Sequence, residues 1–329
     1  MTDVANQPFY HLRPNKNIDR HLFLQTLIGL SRQLPISDYS YTGFGSYLFD
    51  DFKLLHEILG ISKMISLEQD PYVFKRAKFN LPYNCIEVKN ISSTDYISDL
   101  SCNENDHNIF WLDFVAPSKL GEQLADYSSL LTQLNPYDII RITLNANPNS
   151  LGGSNDKEHL HAIRFQTLKT RVQSTDFPSA LTQDDVTTKR YPLALLQILK
   201  LITTNLLRDM SPYSPNFMFP LFSTIYADGQ QMVTFTGIVL DNHKEEDSIK
   251  NVLNIYPHNT FTWDTPHHIE IPSLTVRELM EINKLLPSPN AQQQLMEDFP
   301  FIFPAEDPQS IDNYIQYYKY YPNYHQVNF

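Results

Sequence analysis

Residues 39–70, YSYTGFGSYLFDDFKLLHEILGISKMISLEQD, decide the fold. An apolar-flanked extended run reaches Gly43 and Gly45, and a tight turn follows at Ser46. Phe49, Phe52, Leu55 and Leu59 then recur at the spacing of one buried helical face. Met64-Ile65-Ser66-Leu67 forms a short apolar strand that ends on the carboxylate Glu68. Strand, glycine turn, helix, strand and acid, in that order, make half of a nucleotide-binding sheet. The glycines let a ligand approach the backbone, and the helix behind them aims its free N–H groups at the same place. Glu68 stands one helix beyond Gly45, where a carboxylate accepts hydrogen bonds from ribose hydroxyls. Asp50 and Asp51 in the first turns suit the helix dipole, and either could also face the crevice.

Glycine is scarce: 9 in 329 residues, well under the usual fraction of roughly 7%. Two of them placed one residue apart directly after a strand therefore carry more weight than a GxG in a glycine-rich chain. The helix before this unit is expected over 18–34, from Leu22, Leu27, Leu30 and Leu34.

After Glu68 the alternation continues. PYVFKRAKF (71–79) reads as a helix opening on proline, a favoured first position. CIEVKNI (85–91) reads as a third strand, and Ser92-Ser93-Thr94-Asp95 as a polar loop suited to meet an adenine edge. Ile109–Leu112 is a continuous apolar strand, covered on both faces, ending at Asp113. A helix over 121–134 leads to a fifth strand, YDIIRITL (137–144), ending at Asn145. Gly43 to Ser46, Glu68, Asp95, Asp113 and Asn145 thus all follow strand ends, and in an open parallel sheet those ends form the ligand crevice.

Beyond Asn145 come a loop and a basic helix over 157–172, whose Arg164, Lys169 and Arg171 make either a solvated face or a positive patch toward a substrate. An apolar helix over 193–207 and two strand-like runs, 217–226 and 232–240, follow; Asp228-Gly229 between the runs is a hairpin signal. HKEEDSIK (243–250) reads as a linker. Thr275 and Glu278 form a capping box for a helix over 275–286. Six tyrosines between Tyr314 and Tyr324 form an aromatic tail that packs on the core, stacks bases or packs on a protein partner. The expected organisation is an arm (1–17), a sheet domain (18–245, with 146–190 inserted) and a C-terminal extension (246–329).

Composition narrows the classes. A net charge of −12 argues against a broad nonspecific nucleic-acid surface, which needs a basic face. Cys85 and Cys102 make no disulfide framework and show no metal spacing, which suits a reducing cytoplasm. The longest apolar stretch, 193–202, is interrupted by Gln197 and Lys200 and is too short for a membrane span. No metal site is expected, the adjacent His267 and His268 diverging if extended.

Five alternating strands, a helix and an antiparallel hairpin resemble the class I S-adenosylmethionine-dependent methyltransferases over roughly 18–240, and the chain is similar to bacterial O-methyltransferase-like proteins. The resemblance implies a Rossmann-like α/β sheet with a C-terminal antiparallel hairpin, and S-adenosylmethionine as cofactor. Tyr41-Thr42-Gly43-Phe44-Gly45-Ser46 then looks like the first motif, around the methionine end of the cofactor. Glu68 looks like the ribose acid and Asp95 like the adenine reader. Asp113 sits beside the transferred methyl as the candidate catalytic group, with Asn145 as a second polar contact. Where the family commonly carries an acid two residues before the first glycine, this chain has Tyr41; Tyr47 replaces a common third glycine. The implied activity is methyl transfer to an O or N nucleophile. The alternative is a methyltransferase fold without turnover, serving as a regulatory or partner-binding subunit.

Overall fold

The computed structural model describes residues 13–102, 106–154, 156–210, 216–304 and 308–322. Tyr324 of the expected tail and most of the expected arm lie outside them. The chain divides into two compact units, each assembled from separate stretches. The larger comprises Phe23–Ile225 and Gln230–His267; the smaller comprises Met1–Leu22, Tyr226–Gly229 and His268–Phe329.

Seven strands build the sheet of the larger unit: β1 (Ser40–Gly43), β2 (Lys63–Leu67), β3 (Ile86–Lys89), β4 (Asn108–Asp113), β5 (Ile139–Asn145), β6 (Phe217–Ala227) and β7 (Gln231–Leu240). The tip of the β6–β7 hairpin is counted with the smaller unit. Strand order is β3-β2-β1-β4-β5-β7-β6. β1 pairs in parallel with β2 and β4, β2 with β3, and β4 with β5, whereas β7 is antiparallel to β5. The expected α/β sheet with its antiparallel C-terminal strands is what the chain forms. The order of sequential strands reverses between β1 and β4, so a crevice opens outside their C-terminal ends.

The helices between strands follow local chemistry. α1 (Pro14–Leu30) precedes the sheet, and α2 (Asp50–Leu59) follows the glycine turn. Phe52 and Leu55 are buried on α2, and Phe49 is buried just before it as the left-handed N-cap residue. α3 (Pro71–Phe79) begins where Asp70 accepts the Tyr72 and Val73 N–H groups and Pro71 presets the first turn. α4 (Ser93–Ser98) starts where a polar loop was expected. The Ser92 side chain accepts the Asp95 N–H, so the serine-rich stretch caps a helix instead of extending a loop. α5 (Leu120–Leu131), α6 (Lys157–Arg171) and α7 (Tyr191–Met210) complete the layers around β4, β5 and β7.

The core explains the continuous apolar runs. Phe110, Leu112, Ile140, Ile142 and Leu144 join Leu124, Tyr127 and Leu131 of α5 and Leu195, Leu199 and Ile202 of α7 in one buried cluster. The other face of β4 and β5 is built around Arg141, which water does not reach. Its guanidinium lies 4.6 Å from the Trp111 ring centre, 4.8 Å from Phe23 and 5.3 Å from Phe222, and it donates to Thr236 Oγ1 at 2.5 Å. Stacking a weakly hydrated planar cation between rings lets an arginine occupy a sheet interior.

The stretch expected as a linker is helical: α8 spans Glu245–Leu253. Glu245, Glu246 and Asp247 occupy its first turn, where acids favour a helix, and Ile249 and Leu253 are buried on its inner side. The dense charge of 243–250 conceals that two-residue apolar stripe in the sequence.

In the smaller unit Asp228, at the hairpin tip, accepts the Asn15 and Lys16 N–H groups at the start of α1 (3.3 and 2.7 Å). Asn15 Oδ1 accepts the Ile271 N–H at 3.0 Å. After the short β8 (His267–Ile269) come α9 (Val276–Asn283), opened by the expected Thr275–Glu278 capping box, α10 (Ala291–Asp298) and α11 (Pro308–Tyr317). Tyr314 and Tyr317 are buried, and Tyr321 accepts the Leu274 N–H at 2.7 Å, so these rings pack within their own unit. Among the described residues no helix is long and apolar enough to cross a membrane, and no His, Cys, Asp and Glu side chains gather to hold a metal.

Candidate functional site

The sheet lines the polar strand ends up in one row. Glu68 follows β2, the Gly43–Ser46 turn follows β1, Asp113 ends β4 and Asn145 ends β5, and these four strands are successive neighbours. Asp95 lies beyond β3, at the row's end, in the first turn of α4.

The turn after β1 is built by crowding. A Cβ on Gly43 would stand 2.7 Å from the Tyr41 hydroxyl; on Gly45 it would meet Phe49 Cδ1 at 2.7 Å, Ser66 Oγ at 2.8 Å and Phe52 Cε2 at 2.9 Å. Both positions are therefore restricted to glycine by the protein's own packing. The Gly45 N–H donates to Ser66 Oγ at 3.1 Å, which ties the turn to β2. Ser46 is buried in the left-handed region (φ 51°), and Phe49 is left-handed too (φ 55°). Two non-glycine residues with positive φ this close together mark a backbone held by its surroundings.

Tyr41, where an acid is common in the family it resembles, donates its hydroxyl to the Asp51 carboxylate. That same hydroxyl is the group that closes over Gly43. A carboxylate from the first turn of α2 is thereby delivered to the end of a strand that carries none.

Glu68 is half-buried, and burial, the largest influence, pushes its carboxyl up to about 7; the Asp70 N–H at 3.4 Å opposes this only weakly. A carboxyl so raised is short of donors for its charged form. Asn90 donates its side-chain N–H to the Glu68 backbone carbonyl at 2.7 Å, fixing the end of β2 against the loop after β3. Asp95 is exposed and accepts the Ser92 hydroxyl at 2.6 Å, completing the cap of α4. Behind it, the hydroxyls of Tyr96 and Thr42 lie 3.5 Å apart, so α4 touches β1.

Asp113 is half-buried at the end of β4. Beyond it Phe114 lies 5.5 Å from Phe44, the residue between the two glycines, and the Phe114 N–H reaches the Thr143 carbonyl on β5. The ring pair brings the first turn and the end of β4 together. Asn145 is buried, and its Oδ1 accepts the Asn147 N–H at 3.0 Å, turning the loop after β5.

Arg164 and Arg171, read from sequence as a solvated face or a positive patch, hold loops. Arg171 donates to the Pro117 carbonyl at 3.0 Å and to the Ser150 carbonyl at 3.1 Å, bridging the loops after β4 and β5. Arg164 donates to the Gly152 carbonyl at 3.1 Å and to Asn149 Oδ1 at 2.5 Å. Lys169 lies over Phe165 and Phe177. Sequence reasoning missed the Tyr41–Asp51, Gly45–Ser66 and Arg171 contacts. Its one available signal was a tyrosine in the acid's position followed by two aspartates in the next helix.

A seven-stranded order of this kind, with its polar row outside β1 and β4, defines the class I methyltransferase type of fold. The chain belongs to the family described as "Putative O-methyltransferase", whose model matches residues 8–329. No curated protein matches the sequence. Among solved structures, it is similar to the N-methyltransferase NodS from Bradyrhizobium japonicum WM9 (9% identity, 68% of this chain, 97% of that chain, TM-score 0.36). It is also similar to P. horikoshii TYW2 in complex with MeSAdo (15% identity, 73% and 67% coverage, TM-score 0.35). A third is the fibrillarin/Nop5p complex (9% identity, 62% and 74% coverage, TM-score 0.34).

Proposed function

We propose that this chain binds S-adenosylmethionine along the row from Asp95 to Gly43 and transfers its methyl group to an oxygen or nitrogen nucleophile at the mouth between Asp113 and Asn145. The observation that carries this reading is Glu68: a half-buried carboxyl, raised to about 7, at the end of the strand beside the glycine turn. Burying a carboxyl with so few donors costs free energy unless a partner supplies them. The two ribose hydroxyls of a nucleoside are such a pair of donors, so the donor set fits this cofactor.

Each side chain has a role by chemistry. Glu68 accepts ribose hydroxyls. Asp95, one step along the row, accepts from an exocyclic amine. Asp51, steered by Tyr41, offers negative charge beside Gly43 for the cofactor's ammonium group. Ser66 holds the turn still by fixing the Gly45 N–H. When bound, S-adenosylmethionine supplies a methyl already activated on a sulfonium, so the protein's work is to position the acceptor and exclude water. Asp113 takes the acceptor's proton or orients its lone pair. Asn145 shapes the adjoining loop through Asn147, and Arg171 keeps that loop and the loop after β4 at a fixed separation.

Calorimetric titration of the full chain with S-adenosylmethionine tests the proposal. The wild type should bind, and Glu68→Ala should weaken binding by about 1.5–3 kcal/mol, the usual worth of a hydrogen bond to a charged group. A chain that binds no donor would defeat the enzyme reading and leave the fold as a scaffold.

A further inference from the structure

Helix α3 carries a feature the methyl-transfer reading does not use. Ala77 is fully buried, and Val73 and Phe74 are half-buried, so these three face inward. The outward positions are Tyr72, Lys75, Arg76 and Phe79, all exposed, at i, i+3, i+4 and i+7. They form one stripe on one face of the helix. Tyr72 is 82% and Phe79 90% exposed, the two most open large apolar side chains of the described residues. Their Cα atoms stand about 10.5 Å apart along the axis, with two cations between them in the stripe and Lys78 beside it over Phe74.

The charge of this stripe runs against the rest of the protein. The whole chain has 37 acidic and 25 basic residues, yet 71–86 holds three cations and no acid. Among the described residues none of Lys75, Arg76 and Lys78 makes an ion pair. The Arg76 guanidinium instead lies 3.5 Å over the ring of Tyr47, which sits in the turn just after Gly45. The stripe therefore reaches the edge of the crevice.

We infer that the outer face of α3 is a docking strip for single-stranded nucleic acid. Cations with no carboxylate partner, flanked by bare rings, match a strand in which phosphates alternate with bases: the cations take the phosphates and the ring faces take the bases. The exposed rings favour this occupant over an acidic peptide. The positions 72, 75, 76 and 79 include no aliphatic side chain to wall a pocket, and an apolar peptide anchor gains its energy from a pocket. A base needs only an open ring face. The strip is local, so it is compatible with a net charge that argues against a broad basic surface. Affinity should be weak, with a Kd of roughly 10⁻⁴–10⁻⁶ M near physiological salt.

The test is fluorescence anisotropy of a short labelled oligouridylate with the full chain, over a series of salt concentrations, beside labelled polyglutamate. Methyl transfer is not measured, so the result stands apart from the cofactor proposal. The oligouridylate should bind with a log–log salt slope of about −2, from three cations at about −0.7 each. The double variant Lys75→Gln/Arg76→Gln should bring that slope to about −0.7. Tyr72→Ala/Phe79→Ala should leave the slope unchanged and weaken binding by about tenfold or more. All four are surface side chains, and circular dichroism checks that each variant is folded. Failure to bind the oligonucleotide, an unchanged slope in the charge variant, unweakened binding in the ring variant, or polyglutamate binding as tight as oligouridylate would each overturn the inference, the last in favour of an acidic protein partner.

Discussion

Replacing Glu68 by glutamine should stabilise the ligand-free protein while weakening its hold on the cofactor. Glutamine keeps the shape of the side chain and removes its charge. In the unfolded chain the carboxyl titrates near 4.5, whereas in the fold burial holds it up at about 7. Below pH 4.5 the group is protonated in both states and the substitution changes little. Between 4.5 and 7 the folded protein retains a proton that the unfolded chain has released, so wild-type stability falls as pH rises. Above 7 the fold carries the full cost of a buried carboxylate. A displacement of this size corresponds to about 3 kcal/mol between protonation states. Because water still reaches part of the side chain, the expected gain for Glu68→Gln at pH 8 is about 1–2 kcal/mol. Urea unfolding at pH 5 and pH 8 measures it, and the two proteins should differ far more at pH 8. Titration with S-adenosylmethionine is the counterpart: wild-type affinity should rise as pH passes through 7, while the variant binds more weakly and with a flatter pH profile. A variant less stable than wild type at pH 8 would refute the reasoning, because the carboxylate would then have donors in the ligand-free fold.

Three further outcomes follow from the site. Asp113→Asn should leave donor affinity nearly unchanged while transfer to the true acceptor falls roughly 10²–10⁴-fold, the usual contribution of a positioned base; single-turnover assays beside calorimetry separate the two effects. Gly45→Ala pushes a methyl against Phe49, Ser66 and Phe52, so denaturant unfolding should show a loss of about 1–3 kcal/mol. Tyr41→Phe frees Asp51 from its hydroxyl partner; unfolding should show a cost of about 1–3 kcal/mol, and donor binding should weaken as well, whereas a variant binding the donor like wild type removes Asp51 from the site.

What could be read from sequence was whatever rests on neighbours along the chain. Pro71 marked the start of α3, because a preset φ acts within one turn. The same holds for Thr275 with Glu278. The continuous apolar run of β4 announced a sheet covered on both faces. Other features depended on distance in space. Asp51 reaches Tyr41 only once β1 and α2 fold back on each other, and no spacing rule predicts that. The arginines of α6 read as a solvated face or a positive patch because three of their four hydrogen-bond partners are backbone carbonyls, which every sequence contains and none advertises. In α8 the dense charge hid Ile249 and Leu253, whose burial makes it a helix.

The capping of α1 by Asp228 has a consequence for the order in which the chain can become complete. Residues 14–22 leave the ribosome early, the hairpin tip more than two hundred residues later, and Ile271, which binds Asn15, later still. During synthesis the start of α1 must therefore wait with its terminal N–H groups satisfied by water. Everything belonging to the larger unit has been made by His267, before most of the smaller unit exists. A ribosome stalled while Asp228 is still inside the exit tunnel should display a nascent chain whose residues 14–22 remain open to cleavage.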